Sequence, residues 1–492
     1  MFAQVLTVEG MCLVVLGTVL GITVGAVPGL TGAMLISLSL PLTFSMEGTS
    51  AMLLLVSMYV GAVSGGLISA TLLRMPGTPA SVMTTLDGYP MARQGRARRA
   101  LVLGAGASLV GGLVSWGFLV LLAKPVSELS TRFGPFEFFS LVLMALAMIA
   151  GLGGSGGVMR GLFAGALGML AAMPGLSPAT GDPRWTFGLP AMADGFKLLP
   201  VLIGLFAMNQ VLREMLGLAG KPERLDGQSS GALPRLGEWL CQWWNLLRSA
   251  LIGTWVGILP GAGANVGSVM AYSAAKGLSN NAEKFGTGCD EGVVASESAN
   301  NATVGGALIP LVAMGIPGSL IDAILLGAFV LHGLQPGPLL FQNHPEVVNS
   351  ILGAALVANL VMFAAMLWLA RWIAKLAFAP RAVLLPMVVV CSVVGAFALS
   401  NRMFDVWVML AFGLVGFVLE RGRIPLAPFV IGFVLAPIAE ENLAAGLMAS
   451  GGSLAPMFTR PVSLLFVLAA VALLLGPVLL QRRKLAPTKE AP

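Results

Sequence analysis

Long apolar runs, rather than any alternation of apolar and polar positions, organise this chain. Stretches of roughly 16 to 25 apolar residues recur from end to end. They are close to the ~20 residues a helix needs to cross a ~30 Å hydrocarbon core, and they lack the period of two that marks a membrane barrel strand. The pattern predicts an all-α polytopic membrane protein. Crossings are expected at about 99–123, 136–153, 156–173 and 196–216, and again at 347–373, 382–400, 405–420, 425–440 and 462–480.

The runs are interrupted at matching places. Residues 21–32 read GITVGAVPGLTG and residues 253–264 read GTWVGILPGAGA, each with glycines four apart and then a Pro-Gly break. Gly65-Gly66 is echoed by Gly305-Gly306, and AGALG at 164–168 by AFGLVG at 411–416. Two further Pro-Gly breaks, LLRMPGTPAS at 72–81 and MGIPGSLIDA at 314–323, sit at the tips of apolar hairpins. Each half is expected to hold a broken span, a hairpin (49–90 or 292–341) and then full crossings, with 462–480 left over. That makes about 11 full spans plus two hairpins. A unit with an odd number of crossings inverts its partner, so the halves form two inverted-topology repeats. The expected divisions are 1–218, a linker and interfacial helix at 219–248 carrying Trp239, Trp243 and Trp244, a second repeat at 249–442, and an outer loop, last span and tail at 443–492.

Composition agrees with the pattern: 57% hydrophobic and 10% charged residues exclude an ordinary soluble surface. Lys and Arg fix the expected orientation. Clusters at Arg93–Arg99, Arg213–Arg248, Arg371–Arg381, Arg421–Arg423 and Arg482–Lys484 are assigned to the cytoplasm, with the C-terminus. Loops 174–195, 279–291 and 441–461, poorer in positive charge or mixed in sign, are assigned to the outside. The first apolar run lacks a basic flank and a small-residue cleavage pattern, so it is expected to be retained. Cys12, Cys241, Cys289 and Cys391 form no CxxC pair, and His332 and His344 read as interfacial loop residues. Neither a tightly bound cofactor nor a metal site nor a nucleic-acid partner is indicated. The bilayer is the partner the composition demands.

Broken helices in hydrocarbon expose backbone groups, and they are tolerated where they line a cavity. The candidate substrate site therefore comprises Pro28, Gly29, Thr31 and Gly32; Pro76, Gly77 and Thr78; Pro260, Gly261, Gly263 and Asn265; and Pro317, Gly318 and Ser319. Half-helix N-termini joined by the Thr78 or Ser319 hydroxyl suit carboxylate oxygens, so an anionic substrate is expected. The same hydroxyls also fit a reading as plain caps. Glu297, Asn300 and Asn301, on neighbouring turns of a polar stretch carried into the membrane, are the candidate cation site for Na+ or H+; the competing reading makes 288–298 a solvated outer loop. Asp322 reads as a dipole-favoured first-turn acid and Asp87-Gly88 as a turn. No constellation of nucleophile and base suggests an enzyme. A channel would also use broken helices, and inverted halves favour alternating access over it.

Three blocks, VPGLTG at 27–32, PGTPASVMTTLDGYPMARQGRARRAL at 76–101 and GVVASESANNATVGGALIPLVAMGIPGSLIDAILLGAFVLHGLQPGP at 292–338, resemble the large membrane subunit of tripartite tricarboxylate transporters. The resemblance runs through nearly the whole chain. It implies cation-gradient-driven uptake of organic anions across the bacterial inner membrane, with a periplasmic binding protein delivering substrate and a small membrane subunit as companion. A binding-protein-independent carboxylate carrier is the alternative within the same chemistry. The family pattern before the first hairpin tip resembles YGGS and ends in Asn, whereas this chain has SGGL at 64–67 and Arg74. Arg74 joins the candidate site because a guanidinium can grip a carboxylate with two parallel bonds; snorkelling or an internal acidic partner is the other reading.

Overall fold

The computed structural model describes residues 4–27, 30–74, 78–152, 158–177, 180–217, 234, 236–260, 263–376, 381–398 and 401–485. Helices dominate: α1 Val8–Ala26, α2 Gly32–Thr43, α3 Gly48–Leu73, α4 Val82–Arg93, α5 Ala97–Ser130, α6 Pro135–Leu152, α7 Val158–Ala172, α8 Leu198–Ile203, α9 Asn209–Met215, α10 Leu236–Cys241, α11 Trp243–Ile258, α12 Gly263–Leu278, α13 Asp290–Met314, α14 Leu320–Leu331, α15 Pro338–Asn343, α16 Pro345–Leu376, α17 Arg381–Ala398, α18 Met403–Arg421, α19 Leu426–Ala449, α20 Ala455–Thr459 and α21 Pro461–Leu485. A π-helical turn, Gly204–Met208, joins α8 to α9. Among the described residues the only strands are two-residue β1 (Gly175–Leu176) and β2 (Pro183–Arg184). Among the described residues seven helices are long and apolar enough to cross a membrane, and shorter apolar helices accompany them. The all-α polytopic expectation holds.

The chain forms two compact units, residues 1–130 with 198–417, and residues 131–197 with 418–492. In the second unit α7 and α19 cross on glycine. A Cβ added at Gly168 would lie 1.9 Å from the Phe429 carbonyl oxygen, and one at Gly432 would lie 2.3 Å from that of Gly165. Arg184 grips Glu440 with two bonds of 2.8 and 2.9 Å, and Ser177 donates to the same carboxylate, fixing the β1–β2 loop to α19. Such a bidentate pair is stronger and more directional than a single contact.

In the first unit the glycines of the sequence repeat do the same work twice. On α1, a Cβ at Gly21 would meet the Met58 oxygen at 2.4 Å and one at Gly25 the Ala62 oxygen at 2.3 Å. On α11, a Cβ at Gly253 would meet the Ala299 oxygen at 2.3 Å and one at Gly257 the Thr303 oxygen at 2.5 Å. Because 21 pairs with 58 and 25 with 62, α1 runs parallel to α3; α11 runs parallel to α13 by the same reasoning. Helices packed this closely gain dispersion contact without needing a hydrophobic drive, the situation expected in lipid.

The path beyond each break differs from the sequence expectation. After its break the first broken helix returns: Gly32 lies against Ala62, level with the end of α1, whereas Thr43 at the far end of α2 reaches His332. Likewise Gly267 of α12 abuts Thr303, and Tyr272 abuts Gly292, so α12 runs back along α13. Segments 8–43 and 243–278 are therefore the helical hairpins. Segment 48–93, expected to be a hairpin, is the broken span: Gly66 faces Thr78 and Ser81 while Gly88 faces Thr71, so α4 continues in the direction of α3. On the other half, Gly318 sits beside Ala307 and the end of α14 reaches the start of α3, where Gly48 meets His332 and Leu334. The caps differ accordingly: α1 and α11, which turn back, end in the extended residues Val27 and Leu259, whereas α3 and α13, which carry on, end in the left-handed caps Arg74 and Gly315.

One expected orientation is overturned. Loop 279–291 was assigned to the face opposite the Arg93–Arg99 cluster, yet Arg99 bonds Asp290 at 2.6 Å, Arg96 donates to the Gly288 carbonyl and Gln94 to that of Thr287. The loop and the cluster share a face. Its acidic residues balance the arginines, and acidic residues contribute little to orientation, so a loop poor in Lys and Arg was misassigned.

Asp87 holds that face together. It is no turn residue: it lies within α4, fully buried, where one oxygen accepts from the N–H groups of Gly286 (2.9 Å), Gly288 (3.0 Å) and Cys289 (2.8 Å) and the other from the Tyr272 hydroxyl (2.8 Å). Removing it leaves four donors without their acceptor, of which the Tyr272 hydroxyl is buried and the three backbone N–H groups are partly so; an unpaired buried donor costs about 1–3 kcal/mol. Asp87→Ala is expected to lower the Tm of the detergent-solubilised protein strongly and to speed hydrogen exchange at 286–289, with Asp87→Asn milder because one oxygen remains. Wild-type Tm and exchange in Asp87→Ala would show that the loop does not depend on this carboxylate.

Candidate functional site

Four half-helices begin at the breaks, and their first residues converge on the middle of α3 and α13. The Thr31 hydroxyl caps α2, accepting from Met34 N–H at 3.2 Å; next to it Gly32 packs on Ala62 and Ile321. The Ser319 hydroxyl caps α14, accepting from Asp322 N–H at 3.4 Å, and lies 3.1 Å from the Tyr59 hydroxyl of α3. Gly263, in the left-handed region at φ 63°, places the start of α12 beside Ser319. Gly318 is buried against the Gly257 carbonyl, with Pro260 and Pro317 also buried. Thr78 bonds Ser81 at 2.9 Å ahead of α4. Each of these N-termini presents free N–H groups and the positive end of a helix dipole. Pro28, Gly29, Pro76, Gly77 and Gly261 lie outside the described residues. Asn265 is exposed, in the first turn of α12.

The polar stretch 290–314 is helix α13 throughout, and Glu297 and Asn300 are fully buried, so the solvated-loop reading of 288–298 is overturned. Glu297 accepts from the hydroxyls of Thr84 on α4 and Ser108 on α5, the latter at 3.3 Å. One turn on, Asn300 donates to the Val63 carbonyl at 3.4 Å, and the Asn301 oxygen accepts from Ser64 at 2.7 Å. The Asn300 oxygen and the Asn301 amide nitrogen have no hydrogen-bond partner among the described residues. Buried polar atoms left open in this way mark a place where a ligand or water belongs. Ser64, Thr84 and Ser108, which complete this ring, carried no sequence signal beyond being hydroxyls in apolar runs.

Arg74 is the C-cap of α3, in the left-handed region at φ 53°, and exposed. Its guanidinium carbon lies 5.6 Å from the centroid of the Tyr89 ring, a cation–π contact within α3–α4. The matching position in the second half, Gly315, caps α13 at φ 71°. The backbone thus demands a left-handed residue at both places, which is the conformation Asn and Gly tolerate best. An Arg there accepts strain in exchange for a charge beside the half-helix.

Chemically, the arrangement sets half-helix N-termini near buried oxygen and amide groups, with two of the fully buried acids, Glu297 and Asp322, on α13 and α14. Comparison with known proteins gives the same direction. Residues 11–431 match the family model for the tripartite tricarboxylate transporter TctA family. An uncharacterized 52.8 kDa protein of the TAR-I ttuC' 3' region of Agrobacterium vitis is 33% identical over 476 residues, 95% of this chain and 93% of that one. A second uncharacterized Agrobacterium vitis protein, from the TAR-II ttuC' 3' region, is 36% identical over 211 residues, 43% of this chain and 87% of its own. No solved structure matches. The chain belongs to the TctA family of tripartite tricarboxylate transporters and is a membrane transport component, not an enzyme.

Proposed function

We propose that this chain carries a small organic anion of the di- or tricarboxylate class across the bacterial inner membrane, driven by a Na+ or H+ gradient. A periplasmic binding protein delivers the anion, and a small membrane subunit completes the system. The observation that carries this reading is the meeting of half-helix starts around Thr31, Gly263 and Ser319, because free N–H groups gathered in one place suit an anion and would not be stabilised by lipid alone.

The reading includes inverted repeats. Segment α3–α4 runs opposite to α13: the start of α3 lies by the end of α14, and the end of α4 lies by the start of α13. The hairpins α1–α2 and α11–α12 then enter from opposite sides. With the arginine clusters cytoplasmic, the first hairpin enters from the periplasm and the second from the cytoplasm, and the C-terminus is cytoplasmic. Two hairpins meeting from opposite sides give alternating access a structural basis, since each can gate one side of a shared site. A first repeat at 1–218 and a second at 249–442, joined through 219–248, with 443–492 as an outer loop, last span and tail, follow from the same scheme. A channel built from the same parts would pass anions regardless of an imposed cation gradient.

Uptake of labelled tri- and dicarboxylates into proteoliposomes holding the membrane subunits, with the cognate binding protein outside, tests the reading: accumulation is expected only with a cation gradient. Gradient-independent equilibration would favour the channel instead. Within that assay Thr31→Ala and Thr78→Ala are each expected to raise the anion concentration for half-maximal uptake by about tenfold, the worth of one charge-assisted hydrogen bond. Unchanged values in both would reduce these hydroxyls to structural caps. Gly29→Val and Gly261→Val are expected to abolish uptake while the protein still inserts.

For Arg74, the exposed cation beside the first half-helix, Arg74→Asn is expected to weaken uptake or alter which anions compete, with normal expression, since Asn suits the left-handed cap. Arg74→Lys restores charge without the bidentate fork and should rescue only in part. An unaltered affinity and competitor profile in Arg74→Asn would leave Arg74 as a partner of Tyr89 alone.

A further inference from the structure

The two half-helix corners are equivalent in sequence but not in chemistry. Counting from the left-handed caps Arg74 and Gly315, Thr78 corresponds to Ser319, Ser81 to Asp322 and Tyr59 to Asn300. In the first corner Ser81 and Thr78 satisfy each other at 2.9 Å. In the second, the residue at the Ser81 position is an acid. Asp322 is fully buried in the first turn of α14, and neither carboxylate oxygen has a hydrogen-bond partner among the described residues. The Ser319 and Tyr59 hydroxyls lie close enough to interact with the carboxylate, yet they bond each other at 3.1 Å and neither makes a hydrogen bond of full geometry to it.

Among the described residues of the elements packed on α14, none supplies a compensating positive charge. Helix α2 and helix α8, both packed on α14, carry no titratable side chain; α3 offers only Tyr59; and the acids of α13, Asp290, Glu291 and Glu297, lie in its first two turns, away from the break that leads into α14. His332, at the far end of α14, is turned toward Thr43. An ionised carboxylate cannot stay in such a place without a counter-charge. Glu297, by contrast, already has the Thr84 and Ser108 hydroxyls.

We propose that Asp322, with Ser319 and Tyr59, is the group that takes up and releases the coupling monovalent cation, and that Glu297 is a structural strut between α13, α4 and α5. The proposal rests on the uptake reading above and moves the cation from the Glu297–Asn300–Asn301 stretch to the start of α14. Its logic is positional: Ser319 also borders Gly263 at the tip region of the second hairpin, and Ile321 borders Gly32 at the first, so neutralising Asp322 acts where both hairpins meet. A cation there would let an anion and its counter-charge share one site, which is the economy a symporter needs.

The test uses the purified full-length chain in detergent, with Na+ and H+ themselves as probes and Tm as the readout. In the wild type, Tm is expected to rise by several degrees either when choline is replaced by Na+ at constant ionic strength, assigning Na+, or when pH falls without a Na+ response, assigning H+. Asp322→Asn should show neither response and should match or exceed the Tm of the cation-free wild type, because the uncompensated charge is gone. Glu297→Gln should keep the wild-type response. Ser319→Ala and Tyr59→Phe, which keep the carboxylate, should need about fivefold more cation for the half-maximal shift, the size of one hydrogen bond of about 1 kcal/mol, and they decide the matter if Asp322→Asn does not fold. Persistence of the wild-type response in Asp322→Asn, its loss in Glu297→Gln, or a wild type blind to both cations would overturn the proposal. No organic anion enters this measurement, so absent uptake alongside an Asp322-dependent shift would count against the substrate reading only.

Discussion

Everything in the first unit depends on one constraint: a helix broken in hydrocarbon must hide its open backbone groups in protein. The breaks survive because α1 and α11 press so closely on α3 and α13 that their glycines leave no room for a Cβ, as at Gly21 against Met58 and Gly253 against Ala299. Close packing of this kind shields the half-helix starts that follow from lipid, so their N–H groups and dipoles need protein or a ligand as partner. The hydroxyl caps Thr31 and Ser319 satisfy one donor each and leave the others available.

The same constraint explains the partition of polar residues. Ser64, Asn300 and Asn301 join α3 to α13 where those helices cross, and Thr84, Ser108 and Glu297 join α13 to α4 and α5. In a low-dielectric interior such bonds are strong when complete and costly when open. The open atoms are confined to few places, among them the Asn300 oxygen, the Asn301 nitrogen and both oxygens of Asp322. The Asp87 cradle, by contrast, is a closed system, and it fixes where α13 begins.

Much of the architecture was legible in the sequence because its signals are chemical. Pro-Gly breaks, glycines four apart and a small hydroxyl residue after the break all follow from backbone rules, and they located the half-helices, while the polar residues carried into an apolar region marked the buried stretch around Glu297. What periodicity does not encode is direction. Whether a chain that breaks at Pro-Gly turns back or carries on depends on the residues it meets afterwards, so the hairpins were expected at 49–90 and 292–341 when they lie at 8–43 and 243–278. Loop 279–291 was misplaced for a related reason: its acids look unremarkable until Arg96 and Arg99 are seen beside them. Asp87 and Asp322 were given ordinary roles because a lone acid in a sequence does not reveal whether its oxygens are satisfied fourfold or not at all.

The central claim is that two equivalent hairpins enter from opposite sides and meet. In a background lacking the four native cysteines, Ser45→Cys, beyond the end of α2, and Glu283→Cys, beyond the end of α12, are both exposed positions that report which side each hairpin comes from. A membrane-impermeant thiol reagent is expected to label the first in intact spheroplasts and the second only in inverted vesicles. Labelling of both from the same side would contradict the account.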